Sequence, residues 1–127
     1  MTDTKVLVPG PDHPITLETT GARVRVLLGN RVIADTRDAI TLQEAAYPPV
    51  QYIPLADVDV AVLRPSEHTS YCPYKGRAGY YDLEVGNDAV PAAVWFYEEP
   101  HDAVAAVKGH VAFYPDRVDA IEVDRAA

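Results

Sequence analysis

The stretch RVRVLLGNRVIADTRDAITLQEA, residues 23–45, decides the fold class. Val24 and Val26 alternate with arginines, a Gly29-Asn30 pair follows, and a second apolar run covers residues 32–34. Side chains that alternate with period two belong on opposite faces of a strand, and a Gly/Asn dipeptide between two such runs signals a β-hairpin. Residues 35–38 form a polar break. Residues 39–45 fit a third strand or a short helix, and the strand reading is favoured, with Ile40 and Leu42 on one face and Thr41 and Gln43 on the other.

The same pattern extends outward along the chain. Pro48, Pro49 and Pro54 bracket the short run VQYI at residues 50–53. Proline supplies no ladder donor, so an edge strand is expected there. Residues 55–57 suit a single helical turn, and Val58, Val60 and Val62 alternate with Asp59 and Ala61 as in a half-buried strand. SEHTSYCPYKGRAGYY, residues 66–81, reads as a hairpin: a polar arm ending near Cys72, a turn through Pro73, Tyr74, Lys75 and Gly76, and a return through Tyr80, Leu83 and Val85. Proline presets one turn position and glycine accepts the positive φ that closes such a loop. After a turn at residues 86–88, residues 92–97 form a strand with Trp95 and Tyr97 on one side and Val94 and Phe96 on the other, both sides covered. Residues 100–108 suit a short helix, capped by Asp102 and stopped at Gly109. Strands at residues 111–114 and 120–123 close the fold. Many short strands and little helix predict an all-β, mainly antiparallel domain, either a two-sheet structure or a partly open barrel, with at most one or two short helices. The whole chain, residues 1–127, is read as one domain with its core at about 13–123 and loose ends.

Composition narrows the classes of function. With 127 residues the chain is long enough to bury a core without disulfides or metals. No apolar run approaches the roughly 20 residues that span a bilayer, and the N-terminal stretch carries an acid and three prolines where an export signal would be cationic and apolar. Cys72 is the chain's one cysteine, which excludes an intrachain disulfide and any zinc site built from cysteine pairs. The cytoplasm is the expected compartment. A net charge of −8 opposes nonspecific attraction to nucleic acid or anionic lipid. It leaves open a local pocket for a small anion.

Seven segments, in order, carry a resemblance: HPITLE (residues 13–18), RVRV (23–26), IADT (33–36), PPVQYIP (48–54), TSYCPYKGRAGYY (69–81), AAVWFYEEP (92–100) and GHVAFY (109–114). Together they resemble a small bacterial domain-of-unknown-function family, number 427, also called a nucleotidyltransferase domain. The resemblance runs from about residue 13 to 123 and implies a compact β-rich fold similar to the two-sheet β-tent of Mss4-like proteins. It implies no established activity. Relatives of that architecture often hold zinc through paired cysteines, and this chain departs from them in having Cys72 alone.

Several residue groups are candidates for chemistry. Polymerase-type nucleotidyltransferases need a Gly-Ser turn before an Asp-x-Asp strand, because the turn grips the triphosphate and the carboxylates hold magnesium. Asp57-Val58-Asp59 has the acidic half, but residues 43–49 contain neither glycine nor serine. Neither a P-loop nor a dinucleotide fingerprint occurs. Cys72 lies near His68, Lys75 and Arg77, which would favour a thiolate. On a straight strand, however, His68 and Cys72 share a face about 13 Å apart. The catalytic candidates are therefore Cys72, His68 and Lys75, set against a buried Cys beneath a structural hairpin. Arg64, Tyr71, Lys75, Tyr80, Trp95 and Tyr97 are the candidate ligand-binding set, since such aromatics combine an apolar body with a polar tip. Lys75 and Arg77 beside them suit an anion-bearing planar guest, and core packing is the alternative. Glu98 and Glu99 would serve as a base only if buried. His13, His68, His101 and His110 have no tight ligand spacing, so neither a metal nor a cofactor is expected. The leading reading is a small-molecule-binding domain, with a possible catalytic role, whose cleft surrounds the CPYKG hairpin. The rivals are an interaction module that uses exposed edge strands such as residues 50–53, and a nucleotide-transfer or cysteine-dependent enzyme. Oligomerisation is left open.

Overall fold

In the computed structural model, which describes residues 5–125, Gly29 and Asn30 take φ of 61° and 62°. Two successive left-handed residues make the turn whose twist matches the strands it joins. Those strands are β2 (Arg23–Leu28) and β3 (Arg31–Thr36), with β1 (Ile15–Thr19) before them and β4 (Ile40–Glu44) and β5 (Val50–Pro54) after. Then follow β6 (Leu63–Cys72), β7 (Gly76–Val85), β8 (Asp88–Tyr97), β9 (His110–Phe113) and β10 (Ala120–Asp124). Every pairing is antiparallel. A seven-stranded sheet runs β1-β4-β5-β9-β8-β7-β6, and a three-stranded sheet runs β10-β2-β3. The all-β expectation holds, in its two-sheet form and with no closed barrel.

Each face of the large sheet buries its own apolar cluster. Val94, Leu83, Val111 and Phe113 join Val24, Val26 and Ile33 of the small sheet in one cluster. Leu42, Tyr52, Tyr80, Tyr97 and Ala112 form the other, with Val104 and Val107 packed among them. Both sides of the tryptophan strand are covered, as its alternation predicts: Val94 is 0% exposed and Tyr97 6%.

Three expectations are corrected. Residues 50–53 are not an edge: β5 lies inside the sheet, paired with β4 and β9. Its prolines fall before the strand and at its last residue, where the ladder needs fewer donors. The edges of the large sheet are β1 and β6. Val58 to Val62 do not form a strand. Val58 makes an isolated bridge to Ala34, and Val60–Val62 is a 3-10 turn capped by Asp59, whose Oδ1 accepts from Ala61 N at 3.1 Å and whose backbone O accepts from Val62 N at 3.2 Å. That local cap outcompetes the alternation. The third segment, Asp102–Val107, is a kinked 3-10 stretch with His101 at its N-cap and no side-chain cap. Leu55–Asp57 does form the expected single turn. At the N-terminal end, Leu7 N donates to Pro73 O at 3.0 Å and the Tyr71 hydroxyl donates to Lys5 O at 2.6 Å, so residues 5–13 run along the β6–β7 turn.

Gly79 faces Phe96 across the β7–β8 ladder, and a Cβ on Gly79 would lie 2.6 Å from Phe96 Cζ. A ring cannot yield as a flexible chain end does, so Gly79→Ala should destabilise the protein by about 1–2 kcal/mol. Phe96→Leu in that background should recover part of the loss, read by urea denaturation. Equal or greater stability of the single variant would contradict this packing.

Candidate functional site

The concentration of polar chemistry lies on the face of the large sheet turned away from the small one. Strand periodicity puts Trp95 and Tyr97 of β8 beside Ala78 and Tyr80 of β7, through the pairs Tyr80↔Trp95 and Ala78↔Tyr97. Tyr52 of β5 completes the set: its hydroxyl accepts from Trp95 Nε1 at 3.1 Å, with the rings edge-to-face at 6.2 Å. Burial pushes the Tyr52 and Tyr97 phenols well above their usual range, Glu44 and Cys72 adding to the effect. Both therefore stay protonated at neutral pH and can donate.

At one end of this face lies an ion pair. Ile40, Leu42 and Glu44 share a side of β4, so the alternation that buries two apolar residues also directs a carboxylate inward. Lys75, in the β6–β7 turn, contacts Glu44 Oε1, and both side chains are only 14% exposed. His13 Nε2 is 2.7 Å from Glu44 Oε2, and its ring stacks on Tyr74 at 4.1 Å. Burial alone would raise the Glu44 pKa, but hydrogen bonds from Lys75 and His13 outweigh it and hold the carboxyl below its ordinary value.

The other end is open. The Tyr80 hydroxyl lies 2.8 Å from Ser70 Oγ and 3.4 Å from the Tyr114 hydroxyl, and Tyr114 packs on Trp95 at 4.5 Å. Burial, with the Tyr80 contact, pushes the Tyr114 phenol up to about 12. The His68 ring lies 4.4 Å from that of Tyr80. His68, Tyr80 and Tyr114 surround a pocket of about 290 Å³ with Ala92, Asp116 and Arg117. Ala92 has φ of 48°, in a bulge where Asp82 of β7 faces Pro91, Ala92 and Ala93 of β8. Asp82 Oδ1 accepts from Ala92 N at 2.7 Å, and Arg117 Nη1 donates to Pro91 O at 2.6 Å. Ala45, next to Glu44, has φ of 47°. A left-handed alanine costs about 1 kcal/mol or more, and such strain gathers at functional sites. The two alanines that carry it flank opposite ends of the same face.

The structure divides the residues singled out in the sequence. Tyr80, Trp95 and Tyr97 share the face, with Lys75 at its buried end and His68 at its open end. Cys72 pairs with Gly76 in the hairpin register and is half-buried and free. The β6 register slips between Pro65 and Thr69, which removes the straight strand assumed for the His68–Cys72 spacing. Tyr71 pairs with Arg77 in register and lies on the opposite face. Arg64 sits far along β6, 3.3 Å from Glu84 and donating to Ala61 O and Leu63 O. Asp57 accepts from the Thr36 hydroxyl at 2.6 Å while Asp59 binds Arg31, so the two acids diverge. Glu98 and Glu99 are exposed. No group of three or more His, Cys, Asp or Glu able to hold a metal occurs among the described residues. Sequence reasoning missed Glu44, Tyr52 and Tyr114. Glu44 had a signal, an acid at a position where β4 alternation calls for an apolar side chain. Tyr52 and Tyr114 had none beyond their strands.

A family model described as a domain of unknown function, DUF427, matches residues 16–124. The chain belongs to the DUF427 family. The DUF427 match covers every strand but the first residue of β1, so the face and both of its ends, His13 apart, fall within the shared domain. No curated protein matches the chain. No helix among the described residues is long and apolar enough to cross a membrane.

Because Glu44 titrates below its ordinary value of 4.5 in the folded chain, its contribution to stability is complete above that value and is lost as the pH falls through the native one. The melting temperature should be flat near neutrality and fall below about pH 4.5, less steeply in Glu44→Gln. An identical acid limb in that variant would remove the effect from Glu44. Lys75→Met, which leaves a largely buried carboxylate without its cation, should cost about 2 kcal/mol, and adding Glu44→Gln should restore part of it. Additive losses in that cycle would mean the pair is not coupled.

Proposed function

We propose that this protein is a small-molecule-binding domain whose ligand enters the pocket between His68, Tyr80, Tyr114 and Arg117. The observation that carries this reading is the pair of hydroxyls of Tyr80 and Tyr114 at the pocket wall, 3.4 Å apart, with Ser70 Oγ 2.8 Å from the Tyr80 hydroxyl. Convergent hydroxyls on an aromatic wall orient a flat polar guest. Arg117 at the rim adds the positive charge that would answer an acidic group, His68 a ring nitrogen for hydrogen bonding, and Asp116 opposes a second acidic group. The strained bulge at Ala92 supports the reading, because the backbone there departs from the ladder where room for a guest is made. Lys75 and Glu44 lie at the far end of the same face and anchor the hairpin that carries Tyr80. The unpaired thiol of Cys72 accords with a reducing compartment, and the cytoplasm is the proposed setting.

Trp95 is the chain's one tryptophan and touches Tyr114, so its fluorescence reports on the pocket. Titration with 4-hydroxybenzoate should give a saturable change, with neutral 4-hydroxybenzamide much weaker. Tyr114→Phe and His68→Ala should each reduce affinity by about 3- to 10-fold without loss of fold. A response to the acid that both variants retain unchanged would place binding elsewhere. No response at millimolar probe would refute the planar-acid ligand class.

A further inference from the structure

We propose that the opposite face of the same hairpin holds a second site, independent of the first, which takes a small zwitterion of the aromatic α-amino acid type. Its place is a groove of about 510 Å³ whose walls include Thr69, Tyr71, Arg77, Phe96, Glu98 and Glu99. Arg77 is the first reason. Arg77 pairs with no carboxylate among the described residues and lies over the Tyr71 ring, 5.6 Å from its centroid. A guanidinium stacked on an aromatic face is oriented before a ligand arrives, and its planar fork suits a carboxylate.

The second reason is the charge opposite. The pairing Ala78↔Tyr97 continues to set Arg77 across from Glu98, at a spacing where unlike charges ordinarily meet. They form no ion pair, and neither Glu98 nor the adjacent Glu99 has a cation partner among the described residues. An α-amino acid presents a carboxylate and an ammonium from one carbon. It can bridge the two sides of this strand pair, its carboxylate on Arg77 and the Thr69 hydroxyl, its ammonium on Glu98 and Glu99.

The floor supplies the aromatic preference. Phe96 lies against the Gly79 backbone and 4.9 Å from the Tyr81 ring. Since Gly79 has no side chain, a flat apolar surface is left in the groove, and a ligand ring can stack there. His101 forms the end wall, edge-on to Tyr71 at 6.0 Å. Its Nδ1 is the one buried side-chain nitrogen or oxygen among the described residues without a hydrogen-bond partner.

The test is an amide NMR titration of the full chain with L-phenylalanine, alongside phenylacetate, phenethylamine and glycine, which lack the ammonium, the carboxylate and the ring respectively. Phenylalanine should produce saturable shifts at Tyr71, Arg77, Phe96 and Glu98, with each of the other three at least about tenfold weaker. Arg77→Met and Glu98→Gln should each weaken phenylalanine by about tenfold, while the Trp95 fluorescence response to 4-hydroxybenzoate stays as in the parent protein. The proposal is overturned if millimolar phenylalanine shifts none of these amides in protein whose remaining spectrum is native. It is overturned equally if phenylacetate binds as tightly as phenylalanine, or if the shifts fall on Trp95 and Tyr114 instead.

Discussion

Alternate side chains of β8 enter two different cores, and the rest of the structure depends on that division. Val94 and Phe96 point toward the small sheet, while Trp95 and Tyr97 point away from it. A strand covered on one side needs only one apolar set. Here both sides are covered, so the large sheet has to find a second layer for its tyrosine face. It does so with the Asp102–Val107 segment, through Val104 and Val107, rather than with a full helix or a third sheet. The cover is partial. Polar groups that deep burial would have excluded, the hydroxyls of Tyr80, Tyr52 and Tyr114, persist on this face because each finds a partner.

The β6–β7 turn joins this face to the chain's beginning. Lys75 O accepts from His101 N at 2.9 Å, Pro73 O accepts from Leu7 N, and the Lys75 side chain binds Glu44. Three segments distant in sequence thus meet on a three-residue loop. An isolated cation there would gain little by being ordered at the surface. Seated at 14% exposure against a carboxylate that also holds His13, it gives the hairpin a defined position relative to β4. Strain at Ala45 and Ala92 is tolerated because neighbouring hydrogen bonds determine the backbone there: Ala45 N on Pro14 O, and Ala92 N on Asp82.

The hairpin has two faces with different chemistry, and that follows from its register. Ala78 and Tyr80 are on one side, and Arg77 and Gly79 on the other. One side is lined by hydroxyls and holds its charge at the ends. The other carries charge of both signs, without ion-pair partners among the described residues, over an aromatic floor. The two proposed sites on one strand pair would share a scaffold without sharing a side chain, so each could change without disturbing the other.

By itself the sequence determined the local elements. The Gly29-Asn30 turn, the CPYKG turn and the alternation of residues 92–97 follow from short-range sterics and the period of the strand, which act within a few residues. It misread places where local signals compete: the valines at 58–62, where the Asp59 cap prevailed, and the prolines around residues 50–53, which suggested an edge. Strand order is a non-local property, and nothing in VQYI states that β9, some sixty residues later in the chain, will pair with it. The candidate site divides in the same way. Tyr80, Trp95 and Tyr97 could be grouped from their spacing, but Tyr71 went to the other face because the register between β6 and β7 decides sides. Glu44, Tyr52 and Tyr114 joined the face only through tertiary pairing. Residue type told which side chains could carry chemistry; only the packing of distant strands decided which of them met, because that choice depends on contacts no local stretch encodes.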